Sequence, residues 1–326
     1  MAGIKDVAQL AGVSVSTVSR VLNKRGYISK ETYEKVYQAI DQLDYQPNQL
    51  ARNLYNRRTY FIGLLIPDVS HPFFAEVAKR VELLLYQHWY KLLLCNTKEK
   101  ANREHDYLNM LRQNKVDGII IGTHMLKTSE YEKISLPVVA IDMSLGEQIP
   151  TISSDHEKGG RLAAMEFVRN GCKCVLNIGG NTDVKTPALV RNRVFQELLE
   201  KHNIRCINYE LKENEFQRGE YYQIINSLFD RYPEIDGAFS TDVVVVYAVK
   251  CALERGLKVP EQFKAVGYDG VDIAKMFHPT LTYVAQPFDL LAMNLVDTLI
   301  RKIDGEEITE NLILPDVELV RGGTTY

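Results

Sequence analysis

Near its start the chain alternates apolar and polar positions with the period of helices. Ile4, Val7, Ala8 and Ala11 fall on one face of a helix that Gly12 ends, because glycine tolerates the left-handed backbone beyond a helix C-terminus. Ser14 then offers an oxygen to cap a second helix, whose inner stripe is Val18, Val21 and Leu22. Past the loop "NKRGYIS", Ser29 can cap a third helix with Tyr33, Val36, Tyr37, Ile40 and Leu43 turned inward. The pattern predicts an all-α head over residues 1–46, its first two helices joined by a tight turn. Residues 47–59 differ: Pro47 suits a first helical turn, but the stretch is too short to hold as a helix alone and reads as a conditional linker.

From Phe61 the period changes. Apolar runs of strand length ("FIGLLIP", "YKLLLC", "VDGIIIG", "PVVAID", "CVLNIGG", "RCINYEL", "IDGAFST", "FKAVGYD", "LTYVAQP") alternate with amphipathic helices over 73–87, 104–113, 159–170, 191–202, 221–231, 243–255 and 290–303. Such alternation predicts an α/β core of parallel sheets with right-handed crossovers. The faint repeat of "VDGIII" in "IDGAFS" divides residues 60–326 into two lobes. The N-lobe covers about 60–158 and 288–316, the C-lobe about 159–287 and 317–326, and several joining strands let them hinge.

Composition then narrows the class. The 326 residues are 45% hydrophobic and 25% charged, an ordinary globular balance. No run reaches the length of a membrane span, and "MAGIKDVAQLAG" lacks a signal peptide's apolar stretch, so a cytoplasmic protein is expected. Five scattered cysteines, with Cys172 and Cys174 the one close pair, argue against both a disulfide framework and a metal site. The net charge of −3 hides an asymmetry: residues 1–58 carry nine Lys/Arg against five Asp/Glu, while the remainder is acidic. An electropositive head on an acidic body is what a protein needs when only its head meets a polyanion.

The second helix carries that chemistry. "SVSTVSR" places Val15, Ser16, Thr17, Ser19 and Arg20 outward beside Ser14, with Asn23 just beyond. Small hydroxyls let a helix lie deep in the major groove of double-stranded DNA, and an arginine can reach O6 and N7 of guanine. In the core, ligands of α/β sheets bind outside the carboxyl ends of strands. The residues there are Asp68, Ser70, His71, Phe73, Phe74, Asn96, His124, Asp142, Asn181, Asp242, Asp269 and Gln286. Carboxylates and amides beside aromatic faces suit a sugar, although any single Asp could equally be a helix N-cap.

Enzyme chemistry is disfavoured. "GGNTDVKT" is one residue from a phosphate-binding loop, but Val184 stands where a second glycine is required and Pro187 follows. No GxSxG, HExxH or CxxC occurs, so neither catalyst nor cofactor is expected. A periplasmic sugar-binding protein would have no use for the basic head.

"IKDVAQLAGVSVSTVSRVLN", "YQPNQLARNL" and "IGLLIPDVSHPFF" resemble the LacI/GalR family of bacterial repressors, over essentially the whole chain. "EHDYLNMLRQNKVDGIIIGTH" and "DGVDIAKMFHPTLTYVAQP" are most similar to its sucrose operon repressors. The resemblance implies a helix-turn-helix head and a periplasmic-binding-protein-like core, acting as a homodimer on a pseudo-palindromic operator. Val15 and Ser16 would choose bases, Arg20 would contact guanine, and residues 47–55 would form a hinge helix that folds on DNA. Leu54 of that hinge would wedge into the minor groove, with Tyr55 beside it where a polar residue is common.

By the same resemblance Phe73, Phe74, Asp142, Arg191, Phe216, Asp242 and Asp269 would hold a carbohydrate effector such as sucrose or fructose. Met143, His71 and Val194 depart from the pattern, standing where Arg, Asn and Gly are usual. A phosphocarrier protein acting as corepressor is the alternative to a sugar. The family's tetramers carry a C-terminal heptad extension, whereas this chain ends at "LVRGGTTY"; a dimer is expected.

Overall fold

The computed structural model describes residues 2–22, 26–45, 58–98, 100–123, 125–180, 187–211 and 218–326, the last two stretches from Leu189 and Glu220 onward in side-chain detail. The chain separates into two compact units, residues 1–59 and 60–326.

In the first unit α1 (Ile4–Ala11), α2 (Val15–Leu22) and α3 (Lys30–Gln42) enclose a core of Val7, Ala8, Ala11, Val18, Val21, Val36 and Ala39. Gly12 takes φ 65° and ends α1, and the Ser29 hydroxyl accepts from the Thr32 N–H at the start of α3. Each fully buried valine contributes about 1.5 kcal/mol or more, so a core this small tolerates few losses. The inner face of α3 differs from the periodic reading at one place. Ala39 is buried, whereas Tyr37 is exposed and stacks on Tyr33 with ring centroids 4.7 Å apart.

The second unit holds two six-stranded sheets among its described residues. The N-lobe sheet, in the order β11-β5-β4-β3-β1-β2, comprises β1 (Phe61–Ile66), β2 (Lys91–Asn96), β3 (Gly118–Ile121), β4 (Val138–Ile141), β5 (Thr151–Ile152) and β11 (Leu312–Ile313). Between these strands run α4 (Pro72–Gln87), α5 (Ala101–Gln113) and the short α6 (Thr128–Tyr131).

The C-lobe sheet, β12-β10-β9-β8-β6-β7, comprises β6 (Cys174–Gly179), β7 (Arg205–Glu210), β8 (Gly237–Phe239), β9 (Lys264–Asp269), β10 (Thr282–Ala285) and β12 (Glu318–Val320). Its helices are α7 (His156–Arg169), α8 (Pro187–Lys201), α9 (Arg218–Arg231), α10 (Asp242–Glu254) and α11 (Asp272–Met276). The last long helix, α12 (Phe288–Ile303), returns to the N-lobe, where Leu291, Leu295 and Leu299 join the core under α4.

The β1–β2, β1–β3, β6–β7 and β8–β9 ladders are parallel, as alternation of strand and helix requires. The β10–β12 ladder is antiparallel, an exception the periodic reading did not contain. The chain crosses between the lobes after β5, after β10 and after β11.

Candidate functional site

On the head, α2 presents the hydroxyl cluster. The Ser14 oxygen accepts from the Thr17 N–H at 3.1 Å and sits 2.7 Å from the Ser16 hydroxyl and 2.8 Å from that of Thr17. The helix N-terminus is thus capped while its outer face stays polar. Ser14, Val15, Ser16 and Arg20 are exposed; Thr17, Ser19 and Leu22 are half-buried, so the outward face is narrower than the sequence suggested. Asn23, Leu54 and Tyr55 lie outside the described residues.

In the core, the carboxyl ends of strands from both sheets open on one cavity of about 310 Å³. The N-lobe contributes Asp68, Ser70, His71, Phe73, Phe74, Gly122, Asp142 and Met143 to its wall. From the C-lobe come Arg191, Tyr221, Thr241, Val243 and Asp269, with Gln286 at the second crossing. Sequence reasoning therefore brings Phe73, Phe74, Asp142, Arg191, Asp269 and Gln286 to one place. Phe216, His124 and Asn181 lie outside the described residues.

Asp142 and Asp269 follow β4 and end β9 with φ 55° and 115°. Such left-handed backbone in a residue with a Cβ costs of order 1–3 kcal/mol and clusters where function requires it. The Asp142 Oδ1 accepts from the Ser153 hydroxyl at 2.7 Å and lies 3.0 Å from His156 Nε2. His156 Nδ1 lies 2.8 Å from the Tyr268 hydroxyl. Burial pushes the Asp142 carboxyl up, but His156, Ser153 and Arg191 outweigh it and hold it below the ordinary carboxylate range. Asp269 is raised by burial to about 6, even with Arg191 beside it and the Gln286 amide donating to it at 2.7 Å. Gln286 in turn accepts from the Ser154 hydroxyl at 2.7 Å.

Arg191 extends from α8 with its guanidinium carbon 4.0 Å from the centre of the Tyr268 ring, a contact worth about 2 kcal/mol when desolvated. Its Nε is buried without a hydrogen-bond partner, as is His71 Nδ1. Burial drives the His71 imidazole down to about 4, against the opposing pull of Asp68, so at neutral pH it supplies hydrogen bonds and no charge. Two unpartnered nitrogens on one cavity wall leave hydrogen-bonding capacity for a polar molecule or water.

Two expectations are corrected. Asp242 is not among the cavity-lining residues: it is fully buried, and its Oδ2 accepts from the Gly270 and Val271 N–H groups at 2.8 Å each, tying α10 to the loop after β9. Asn96, the last residue of β2, is likewise absent from the wall. Met143, in the place of the family's arginine, packs into the core with Leu65 and Ile121 and gives the cavity a thioether rather than a donor.

Sequence reasoning missed His156, which lines the cavity beside Asp142, and Tyr268, over whose ring Arg191 lies. The polar run "SSDH" between a strand and a helix was the available signal. Among the described residues no cluster of His, Cys, Asp and Glu could hold a metal ion, and no helix is long and apolar enough to cross a membrane.

Comparison with known proteins places these features. Residues 3–48 match the model for bacterial regulatory proteins of the lacI family, and residues 164–325 match a periplasmic binding protein-like domain. The ribose operon repressor of Halalkalibacterium halodurans is 41% identical, covering 99% of this chain and 97% of its own. The sucrose operon repressor of Streptococcus mutans is 38% identical, covering 97% of each. The lac repressor dimer bound to operator and the anti-inducer ONPF superposes with a TM-score of 0.87 at 25% identity, covering 99% of both chains. With a matching head and relatives above 30% identity along its whole length, the chain belongs to the lacI family of bacterial regulatory proteins, DNA-binding transcriptional repressors rather than enzymes.

Proposed function

We propose that this protein represses a carbohydrate-utilisation operon, binding a pseudo-palindromic operator as a homodimer and releasing it when a small sugar enters the interlobe cavity. The observation that carries the reading is the convergence of Asp142, Arg191, Asp269 and Gln286 with the Phe74 ring on one cavity between two sheets. Paired acceptors and donors for vicinal hydroxyls, with a ring for the C–H face, are the requirements of carbohydrate binding. The names of the ribose and sucrose operon repressors support the same substrate class.

In the head, the exposed Val15, Ser16 and Arg20 are the base-reading positions, with Ser14, Thr17, Ser19, Asn23, Leu54 and Tyr55 completing the DNA contact. A homodimer is favoured by the apolar side chains exposed on the N-lobe, Leu83 and Tyr86 on α4 and Leu94 on the edge strand β2. A sugar that touches both lobes biases their relative orientation, and residues 47–59 transmit that bias to the heads.

The experiment is fluorescence anisotropy of a symmetric operator-like duplex at fixed salt, titrated with protein in the presence and absence of ribose, fructose and sucrose. One sugar should weaken specific binding by about tenfold or more, the ordinary range of allosteric coupling. Superimposable curves with every sugar would refute a sugar-released repressor.

A further inference from the structure

We infer that the cavity takes a free, uncharged sugar and rejects its phosphate ester, so that the effector is a sugar taken up intact and not the product of a phosphoryl transfer. The inference rests on the carbohydrate reading above and narrows it.

Its first support is the charge of the wall. Asp68, Asp142 and Asp269 line the cavity with the imidazoles of His71 and His156, the latter 3.0 Å from Asp142, and among the described lining residues Arg191 is the sole lysine or arginine. The charge of that guanidinium, though not its Nε donor, is already engaged. It lies over the Tyr268 ring, and its charge acts on both Asp142 and Asp269, helping to hold the first ionised and restraining the rise of the second. A phosphate monoester would bring a charge of about −1.5 to −2 at neutral pH into a partly desolvated space that already holds carboxylates.

What the cavity does offer matches hydroxyls. Arg191 Nε is a buried donor without a partner, and His71 Nδ1 is a buried nitrogen on a neutral ring that can donate or accept. Asp142 and Asp269 each take one oxygen's hydrogen bonds from protein groups, Ser153 and His156 for the first and Gln286 for the second. Their carboxylates keep acceptor capacity for a sugar's O–H donors.

Isothermal titration calorimetry of the full chain at pH 7.5 tests this with two pairs, ribose against ribose 5-phosphate and fructose against fructose 6-phosphate. In the pair that binds, the free sugar should bind at least about 100-fold tighter than its ester. Replacing Asp68 at the wall (Asp68→Asn) should narrow that ratio by strengthening ester binding several-fold, a gain that a misfolded variant cannot imitate. An ester that binds as tightly as the free sugar would overturn the inference and leave the carbohydrate reading standing. Silence from all four compounds would overturn both, and an unchanged ratio in Asp68→Asn would refute the charge argument.

Discussion

Individual side chains divide by how their strand ends. Asp142, Asp269 and Gln286 were legible because a polar residue just past an apolar run sits at a sheet's carboxyl edge, where ligands gather. Asp242 obeys the same rule and faces elsewhere, since position alone does not say whether a carboxylate turns toward the cavity or toward the next loop's N–H groups. His71 and Asp269 pull in opposite directions with pH. The His71 imidazole, lowered to about 4, contributes stability that is complete above its ordinary value of 6.5 and is lost as pH falls toward 4, because the unfolded chain takes up a proton that the folded one refuses. Asp269, raised to about 6, contributes most below its ordinary value of 3.8 and loses that contribution as pH rises through 6. Urea unfolding of the wild type and His71→Gln at pH 7 and pH 4.5 separates the two. The wild type should lose roughly 2 kcal/mol more than the variant on acidification; parallel losses would show that His71 is not held neutral.

Among the elements, long periodic segments were legible and short ones were not. The nine strands read as apolar runs and the seven long helices of the core are all present, their ends moved by a few residues. The strands β5, β11 and β12 escaped because two or three residues carry no period. Packing between α7 and α8 was equally invisible, yet it sets the site. A Cβ on Gly160 would lie 2.3 Å from the backbone oxygen of Arg191 and one on Gly159 would lie 2.6 Å from the Tyr268 hydroxyl, so bare backbone lets α7 approach the cavity-lining Arg191 and the Tyr268 ring on which it stacks. Gly160→Ala should therefore destabilise the core by about 1–3 kcal/mol despite alanine's better helix propensity, since the obstacle is backbone and cannot rotate away. Sugar affinity should fall as well, through displacement of Arg191. Thermal unfolding with and without sugar checks both; a variant more stable than the wild type would mean that α8 yields without cost.

At the scale of the whole molecule, the division into a basic head and an acidic two-lobed body was readable from charge and period, and the lac repressor dimer's similarity agrees with it. What charge and period do not reveal is the surface two copies would share. If the exposed apolar face on α4 and β2 is that surface, Leu83→Glu combined with Leu94→Glu should convert a micromolar dimer to monomer in sedimentation equilibrium. Operator affinity should drop by at least about tenfold while sugar binding persists, because half-sites then bind without the gain from linkage. A variant that stays dimeric would move the interface elsewhere. The three crossings have a consequence for synthesis. The head's core closes within the first 45 residues, among neighbours in sequence. The N-lobe instead lacks α12 and β11 until residue 313 has been made, and the C-lobe lacks β12 until residue 320. On the ribosome the head is therefore complete long before the two-lobed core, and on the proposed reading a chain broken off early would keep an address without the part that could tell it to leave.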